Sequence, residues 1–347
     1  MPRTYRVIQW ATGVVGQTAL RQFIENPVFE LVGVLVTNPE KVGKDAGALV
    51  GLPDTGILAT DDKERIVALE ADCVHFAPLL PDPDMVCRLL RSGKNVVCPI
   101  GPWFPIERYE ADFAKIREAC AEGGTSFHGS GVHPGFSGDL LPLTLARLAG
   151  RIDRIQVFEI VDKLRNPMVY IEMMGFGRDP DDLLAKPSRS AEAPHLFTQS
   201  MNLVVGSLGK TIDKLTTNLE VATANADIPY PNGVIAKGTV AGQHFEWTGW
   251  VDGAPFITYH FYWTMGYDTT PRWDVGDSRY RVVINGDPSF EANISALPAE
   301  DGRTPFLGLP WTGLMGVNVI PQVCDAPPGI VTHLDLGLPG PRGQIRG

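Results

Sequence analysis

The sequence predicts a two-domain α/β protein: a doubly wound parallel sheet first, then a smaller α+β domain with a mainly antiparallel sheet. Short apolar strands alternate with helical stretches from Tyr5 to Gly129. After Ile152, longer runs of alternating polar and apolar residues replace them. The 347 residues also exceed what one hydrophobic core usually organises. We expect the first domain to span residues 1–140.

A glycine turn follows the first predicted strand, Tyr5–Trp10. The turn opens a helical run, and a second strand at residues 29–36 completes a βαβ unit. This arrangement fits the dinucleotide-binding fingerprint of Rossmann-type domains, although an ordinary strand-to-helix turn is the alternative. In the fingerprint, Gly13 lets the backbone approach a pyrophosphate and Gly16 lets helix and strand pack closely. The predicted nucleotide-binding residues are Ala11, Thr12, Gly13, Val14, Val15 and Gly16.

The loop after the second strand bears on the choice of cofactor. NAD-binding domains usually place an acid there to hold the ribose 2′-hydroxyl, and this loop has none at the strand end. Thr37 and Asn38 offer small polar groups, and Lys41 and Lys44 can meet a 2′-phosphate. We therefore expect NADP(H) to be preferred, with NAD(H) possible. Solvated surface lysines are the alternative.

The rest of the first domain continues the alternation. The predicted strands are 57–60, 71–78, 95–100 and 125–129, and the predicted helices are 63–69, 82–92 and 109–122. Ala77, Pro78 and Gly101 stand at carboxyl ends of strands, where cofactors lie in such sheets. The glycine-dense stretch 129–139 then leaves the sheet and carries His133, and a long helix is predicted over 140–148.

The second domain begins with a strand at 154–161, an irregular stretch at 162–194 and a helix at 195–208. Antiparallel strands are predicted over 239–251, 256–265, 280–285 and 290–297, the first two joined through Asp252-Gly253. A helix over 310–324, interrupted at Pro321, a strand over 330–336 and a loose tail over 339–347 complete the prediction.

Composition narrows the possible partners. The net charge of −10 and the absence of any basic run argue against nucleic acid or an anionic membrane surface. No secretory leader is recognisable at the N-terminus and no run of about 18 apolar residues occurs, so we expect a cytoplasmic protein without membrane spans. The five cysteines lack CxxC spacing and the seven histidines are dispersed, so we expect neither disulfides nor a metal.

Five motifs in order resemble the dihydrodipicolinate-reductase-like family, which includes 2,4-diaminopentanoate dehydrogenase and the native NAD(P)H-dependent amine dehydrogenases. They are residues 9–16, 41–47, 93–97, 131–136 and 174–177. The resemblance implies a Rossmann domain, a substrate-binding and homodimer-forming domain, here residues 141–304, and a C-terminal segment, 305–347, that returns to the first domain. It also implies hydride transfer to a C=O or C=N carbon of a small molecule.

One departure from the family concerns the chemistry. Amine dehydrogenases of the family carry a glutamate shortly after the strand that matches 95–100, credited with activating ammonia or water. This chain has Gly101-Pro102-Trp103 there, and the nearest acid is Glu107. Reductive amination is therefore in doubt, whereas cofactor binding is not.

Other residues are candidates for the missing acid–base function. His133 has a suitable pKa range, although it can equally well fix its turn by hydrogen bonds. Tyr170 and Glu172 precede the motif that the resemblance places over the substrate. Phe136, Met173, Met174 and Phe176 would shape an apolar pocket, with plain core packing as the alternative. We expect an NADP(H)-dependent oxidoreductase; the alternative is a catalytically silent NADP(H)-binding sensor.

Overall fold

The computed structural model describes residues 3–188, 194–231, 233–300, 302, 304–305, 307–338 and 340–344. The chain divides into two compact units. The first comprises Met1–Phe136 and Gly308–Gly347, and the second comprises Ser137–Leu307. The first unit therefore ends at Phe136 rather than at residue 140, and the chain leaves the second unit after Leu307 rather than after residue 304.

The first unit is built on a six-stranded sheet in which all neighbouring strands are parallel. Its strands are β1 (Tyr5–Trp10), β2 (Phe29–Leu35), β3 (Cys73–Phe76), β4 (Asn95–Cys98), β5 (Ser126–Gly129) and β15 (Gly329–Ile330). The spatial order is β2-β1-β3-β4-β5-β15. The chain order reverses at β1, and in open α/β sheets ligands bind beyond the carboxyl ends of the strands at such a point.

Helices cover both faces of this sheet. They are α1 (Val14–Glu25), α2 (Lys63–Ala68), α3 (Pro83–Arg91), α4 (Glu110–Gly123), α9 (Leu309–Asp325) and α10 (His333–Leu336). Ile8 and Trp10 pack with residues of α2, α3 and α4. Tyr5 and Val7 point to the other face and pack with α1 and α9. This alternation along β1 is why a parallel strand buried on both faces reads as nearly continuous apolar sequence.

The second unit contains a seven-stranded mixed sheet in the order β12-β7-β10-β11-β6-β13-β14. The described strands of the unit are β6 (Arg151–Asp162), β7 (Lys214–Ala224), β8 (Ile228–Tyr230), β9 (Gly233–Ile235), β10 (Val240–Val251), β11 (Ala254–Thr264), β12 (Thr269–Thr270), β13 (Arg279–Asp287) and β14 (Phe290–Ile294), of which β8 and β9 form a separate two-stranded sheet. Its described helices are α5 (Leu141–Ala146), α6 (Met168–Met174), α7 (Pro180–Ala185) and α8 (Pro194–Ser207). Only the β6–β11 pair is parallel; the other neighbours in this sheet are antiparallel. The predicted fold class is confirmed for both sheets.

The hairpin between β10 and β11 turns at Asp252-Gly253, as predicted. Both turn residues have positive φ, 52° and 79°, which is the geometry of a two-residue hairpin turn that favours glycine. A register shift next to Gly249 and Trp250 inserts one extra residue, Phe256, into β11. Because side chains alternate between faces, one extra residue reverses the face of every side chain beyond it relative to the partner strand.

Several local predictions are wrong. The stretch predicted to be irregular, 162–194, contains α6 and α7; α7 starts where the Asp179 side chain accepts a hydrogen bond from the Asp182 N–H, with Pro180 in the first turn. The predicted edge strand 57–60 makes only isolated bridges, at Leu58 and Thr60. The strand β7 was not predicted at all.

Three further predictions differ from the structure. The helix predicted over 140–148 is a π-helical turn, Phe136–Leu140, followed by the short α5. The strand predicted over 330–336 is the two-residue β15 followed by α10, which starts in a capping box formed by Thr332 and Asp335. The helix α9 continues through Pro321 instead of breaking there, because the residues around it are buried against the sheet. The predicted tail, 339–347, lies partly outside the described residues, as does the His195 side chain.

Buried histidines in the first unit make its stability sensitive to acid. Burial lowers the pKa of His75 to about 3, that of His128 to about 3 and that of His333 to about 4. An unfolded histidine titrates near 6.5, so between these pH values the unfolded state binds more protons than the folded state. The histidines therefore favour folding above pH 6.5, and this contribution is lost as the pH falls toward 3 to 4.

We expect the free energy of unfolding to decrease from pH 6.5 to pH 4, and the decrease to be shallower in His75→Gln. One titrating group fewer changes the slope by up to about 1.4 kcal/mol per pH unit. Urea unfolding at a series of pH values measures both slopes. Parallel slopes for the two proteins would contradict the assignment of a neutral, buried His75.

Candidate functional site

The glycine turn begins with an unusual backbone conformation at Ala11. Its φ is 68°, in the left-handed region, which costs a non-glycine residue about 1–2 kcal/mol. The side chain of Gln9 offsets this cost, since its Nε2 donates to the carbonyl oxygens of Trp10, at 3.0 Å, and Ala11, at 2.7 Å. The His75 Nδ1–H in turn donates to Gln9 Oε1 at 2.9 Å. A fully buried hydrogen-bond chain therefore fixes the end of β1.

The two glycines of the turn have different surroundings. A Cβ atom at Gly16 would lie 2.1 Å from the Ala11 carbonyl oxygen, so only glycine allows this contact between helix and strand. At Gly13, no atom of the described chain lies within 4 Å of the Cβ position. Gly13 has an ordinary φ of −71° and is exposed. The open space over Gly13 is thus available to a ligand.

The first turn of α1 is arranged for an anion. The first N–H groups of a helix have no intrahelical acceptor, and in the described chain no side chain caps this N-terminus. No acidic residue stands in the first turn either. The helix dipole adds partial positive charge at the same end. A Cβ atom at Gly313 of α9 would lie 2.7 Å from the Val15 carbonyl oxygen, so α9 holds this turn from behind.

Of the four residues predicted to select the cofactor, Lys41 contacts the turn directly. Its Nζ donates to the Thr12 carbonyl oxygen at 2.8 Å and to Thr12 Oγ1 at 3.1 Å. Burial, and secondarily the nearby charge of Lys44, lower its pKa. The Asn38 side chain accepts from the Glu40 N–H, and Thr37 and Lys44 are exposed. A cation therefore lies beside the turn, with a second exposed one nearby in sequence.

The carboxyl end of β3 adjoins the same turn. The Ala77 N–H donates to the Trp10 carbonyl oxygen at 3.1 Å, which places Ala77 and Pro78 next to the end of β1. Both are half-buried. The predicted cofactor residues at the ends of β1 and β3 are therefore adjacent.

The loop after β4 is closely packed where the family's glutamate is expected. Gly101 has a φ of 81° and its peptide bond to Pro102 is cis. Trp103 is buried, and its Nε1 donates to the Ser130 carbonyl oxygen at 2.8 Å. A Cβ atom at Gly129 would lie 2.3 Å from the Pro102 carbonyl oxygen. Glu107 is exposed beyond this loop, and residues 98–106 contain no acid.

The turn that carries His133 is equally compact. The His133–Pro134 peptide bond is cis, and the Phe136 N–H donates to the Gly131 carbonyl oxygen at 3.0 Å. A Cβ atom at Gly135 would lie 2.1 Å from the same oxygen. His133 and Phe136 are half-buried. Both residues belong to the first unit.

The other predicted site residues lie in the second unit on and just after α6. Tyr170 is half-buried, and burial raises the pKa of its hydroxyl. Glu172 is exposed and Met173 is half-buried. Met174 and Phe176 are buried, and Gln243 Nε2 donates to the Met174 carbonyl oxygen at 2.7 Å.

A buried ionic cluster in the second unit was not predicted. Glu159 on β6 accepts a hydrogen bond from Trp263 Nε1 at 2.8 Å, and Lys163 Nζ lies 3.5 Å from the same carboxylate oxygen. The two charged side chains are only 8% and 10% exposed. Burial lowers the pKa of Lys163. A sequence signal existed: in the alternation of β6, Glu159 occupies an apolar-face position between Val157 and Val161.

Comparisons with known proteins identify the family. Residues 136–344 match the family model described as the 2,4-diaminopentanoate dehydrogenase C-terminal domain. An amine dehydrogenase from Streptomyces virginiae is 30% identical over 97% of this chain and 98% of its own length. The chain belongs to the 2,4-diaminopentanoate dehydrogenase family. The resemblance inferred from the five motifs is therefore confirmed, and the chain is an oxidoreductase of the NAD(P)H-dependent dehydrogenase type.

Two further relatives agree with this assignment. The 2,4-diaminopentanoate dehydrogenase of Acetoanaerobium sticklandii is 26% identical over 94% of this chain and 86% of its own length. The solved amine dehydrogenase of Mycobacterium smegmatis superposes with a TM-score of 0.80 at 20% identity and covers 99% of this chain and 97% of that one. The second comparison shows that the whole family fold is present. Among the described residues, no helix has the length and apolar character needed to cross a membrane.

The two glycines of the turn provide a matched test of the family's nucleotide site. We expect Gly16→Ala to lower the free energy of unfolding by about 1–3 kcal/mol, because its methyl group overlaps a backbone oxygen. We expect Gly13→Ala to leave stability within about 0.5 kcal/mol but to weaken NADPH binding at least about tenfold, because its methyl group fills the open space over the turn.

Urea unfolding and titration of NADPH fluorescence measure the two effects separately. Wild-type NADPH affinity in Gly13→Ala would show that the pyrophosphate does not lie over this turn.

Proposed function

We propose that this protein is an NADP(H)-dependent oxidoreductase that transfers hydride to the C=O or C=N carbon of a small, mostly apolar substrate. The observation that carries the proposal is the turn after β1, where an uncapped helix N-terminus, an open glycine and a cation come together. Two relatives are named amine dehydrogenase and 2,4-diaminopentanoate dehydrogenase. These names favour a substrate or product in which the reacting carbon bears a nitrogen atom.

The residues present fit a dinucleotide. The N-terminus of α1 and Gly13 would hold the pyrophosphate, because both offer N–H groups and space. Lys41 and Lys44 would meet a 2′-phosphate, with Thr37 and Asn38 as neighbouring polar groups. The loop contains no acid at the end of β2 that would repel the phosphate. When bound, the cofactor supplies the hydride; the protein must bind, orient and exchange a proton.

The proton needs a titratable group near the reacting carbon. His133, Tyr170 and Glu172 are the candidates proposed from the sequence. The structure adds Glu159, which differs from Glu172 in being buried and held by Trp263 and Lys163. A buried, oriented carboxylate beside a cation is the kind of group that enzymes use for proton transfer. We propose that Glu159 supplies the acid–base function that the resemblance assigns, in amine dehydrogenases, to a glutamate after the strand that matches β4.

Residues of the second unit support the proposal of a mostly apolar substrate. Met173 and Met174 are the last residues of α6, Phe176 follows the helix closely, and Tyr170 on the same helix adds a polar group. Methionine side chains adapt to differently shaped apolar ligands. Phe136, which belongs to the first unit, is proposed as a further apolar contact. The homodimer implied by the resemblance stays a prediction for this chain.

A cofactor-consumption assay separates an enzyme from a sensor. The purified protein is mixed with NADPH and a panel of aldehydes and ketones, with and without ammonia. We expect NADPH oxidation with at least one carbonyl compound, and an increase with ammonia would show amination. Tight NADPH binding without oxidation across the panel would favour the sensor instead.

We expect Lys44→Ala to weaken NADPH binding by about tenfold and NADH binding much less, because a lysine contact to a 2′-phosphate is a charge-assisted hydrogen bond. Fluorescence titrations with the two cofactors measure the ratio. Glu40→Gln, a change of charge in the same loop, is the control and should not reduce the preference for NADPH. An equal loss for both cofactors in Lys44→Ala would place the phosphate elsewhere.

The two acids can be compared directly. We expect Glu159→Gln to lower kcat about 10²-fold or more while NADPH affinity stays near the wild-type value, whereas the matched change Glu172→Gln leaves kcat within about twofold. Because Glu159→Gln leaves Lys163 buried without its carboxylate partner, circular dichroism must first show a folded protein. The reverse order of the two kcat values would assign the acid to Glu172.

A further inference from the structure

Two histidines and a glutamate meet on one face of the second unit's sheet. His244 and Glu246 lie two residues apart on β10 and therefore point to the same side. His260 on β11 lies directly opposite Glu246 in the antiparallel register. One nitrogen or oxygen atom from each of the three residues lies within 4.8 Å of the other two. This grouping is distinct from the nucleotide turn, which belongs to the first unit.

The hairpin bulge creates the grouping. Next to the turn, Trp250 pairs with Pro255. If this register continued along the hairpin without a bulge, Glu246 would pair with Tyr259, and His260 would point to the opposite face from His244 and Glu246. With it, the three side chains share a face. The β-bulge thus places the three side chains on one face of the sheet. Bulges are common next to functional sites, where they redirect a side chain.

The distances are those of a metal coordination sphere. His244 Nε2 lies 3.3 Å from His260 Nδ1, and His260 Nδ1 lies 3.7 Å from Glu246 Oε2. Tetrahedral zinc with bonds of about 2.0–2.1 Å separates its ligand atoms by about 3.3–3.4 Å. Small rotations of the glutamate side chain, which is 40% exposed, would bring the second distance into that range.

Neighbouring groups orient both imidazole rings. Oε2 of Glu220 on β7 lies 3.4 Å from Nδ1 of His244. When this nitrogen carries the proton and donates it to Glu220, the lone pair of the other ring nitrogen, Nε2, faces His260. A carboxylate behind a histidine is a frequent second partner of metal-binding histidines. The His244 ring stacks on Tyr262 at 3.9 Å and the His260 ring stacks on Phe158 at 4.5 Å.

Burial and charge also suit a metal site. Both histidines are less than 9% exposed, and His260 Nε2 has no hydrogen-bond partner among the described residues. Two carboxylates, Glu220 and Glu246, supply negative charge.

We propose that His244, His260 and Glu246 form a binding site for a divalent transition-metal ion, with zinc as the best match. Two imidazole nitrogens and one carboxylate oxygen are ligands typical of zinc, and the exposed side of Glu246 leaves a fourth position for water. The ion would bridge β10 and β11 and stabilise the hairpin. This proposal does not depend on the nucleotide or on the reaction.

Zinc binding to the full-length protein tests the proposal. After treatment with a chelator and its removal, we expect one zinc ion per chain by calorimetry and a rise in Tm, since a ligand that binds only the folded state stabilises it. Cobalt, used as a spectroscopic probe, should give the visible absorption of a tetrahedral site.

Two variants and one control test whether Glu246 and His260 bind the zinc ion. We expect Glu246→Gln and His260→Asn each to weaken zinc binding at least about tenfold and to abolish the rise in Tm. Glu30→Gln, the same chemical change at an exposed glutamate of β2, should bind zinc as the wild type does. If His260→Asn fails to fold, Glu246→Gln decides, because its side chain is partly exposed. Zinc affinity in Glu246→Gln equal to that of the control, or no saturable binding in the wild type, would overturn the proposal.

Discussion

The nucleotide-binding part of the structure depends on the hydrogen bonds of one buried amide, that of Gln9. A chain that leaves a strand and enters a helix within a few residues must reverse direction sharply, and here Ala11 does so with a left-handed backbone. Alanine tolerates that conformation poorly, so the carbonyl oxygens on either side need fixed partners. Gln9 supplies both and is itself held by His75. These hydrogen bonds hold the turn in a conformation that leaves Gly13 open and the first N–H groups of α1 uncapped.

The C-terminal helix contributes to the same constraint from the other side. Gly313 allows α9 to approach the backbone of Val15, and Gly316 allows it to approach the ring of His75. A Cβ atom at Gly316 would lie 2.5 Å from His75 Nε2. Gly313 and Val15, about 300 positions apart in sequence, thus pack backbone to backbone, and Gly316 packs against the ring that holds Gln9. A site packed in this way is pre-organised, since little of it has to be ordered when a ligand binds.

A structural feature can be predicted from this sequence when the residues that determine it lie close together in the chain. The turn after β1 was predictable, because its glycines, its strand and its helix lie within about 30 residues of one another. The helices α6 and α7 were missed because proline and aspartate usually mark loops, whereas Pro180 and Asp179 here start a helix. Glu159 was overlooked although it interrupts an apolar face. The meeting of His244 with His260 was beyond prediction, since it depends on a bulge that strand alternation alone does not reveal.

The packed loop after β4 and the buried ionic cluster on β6 both bear on the proposed proton transfer. Where the resemblance to the family places a glutamate, this chain packs Pro102 against Gly129, and Trp103 donates a hydrogen bond to the Ser130 carbonyl oxygen. In the second unit, a glutamate and a lysine are buried on the apolar face of a sheet, an arrangement that apolar residues of similar volume often replace without loss of stability. Stability alone therefore gives little reason to keep Glu159 and Lys163. The hydrogen bond from the indole N–H and the nearby ammonium instead support the proton-transfer role proposed for Glu159.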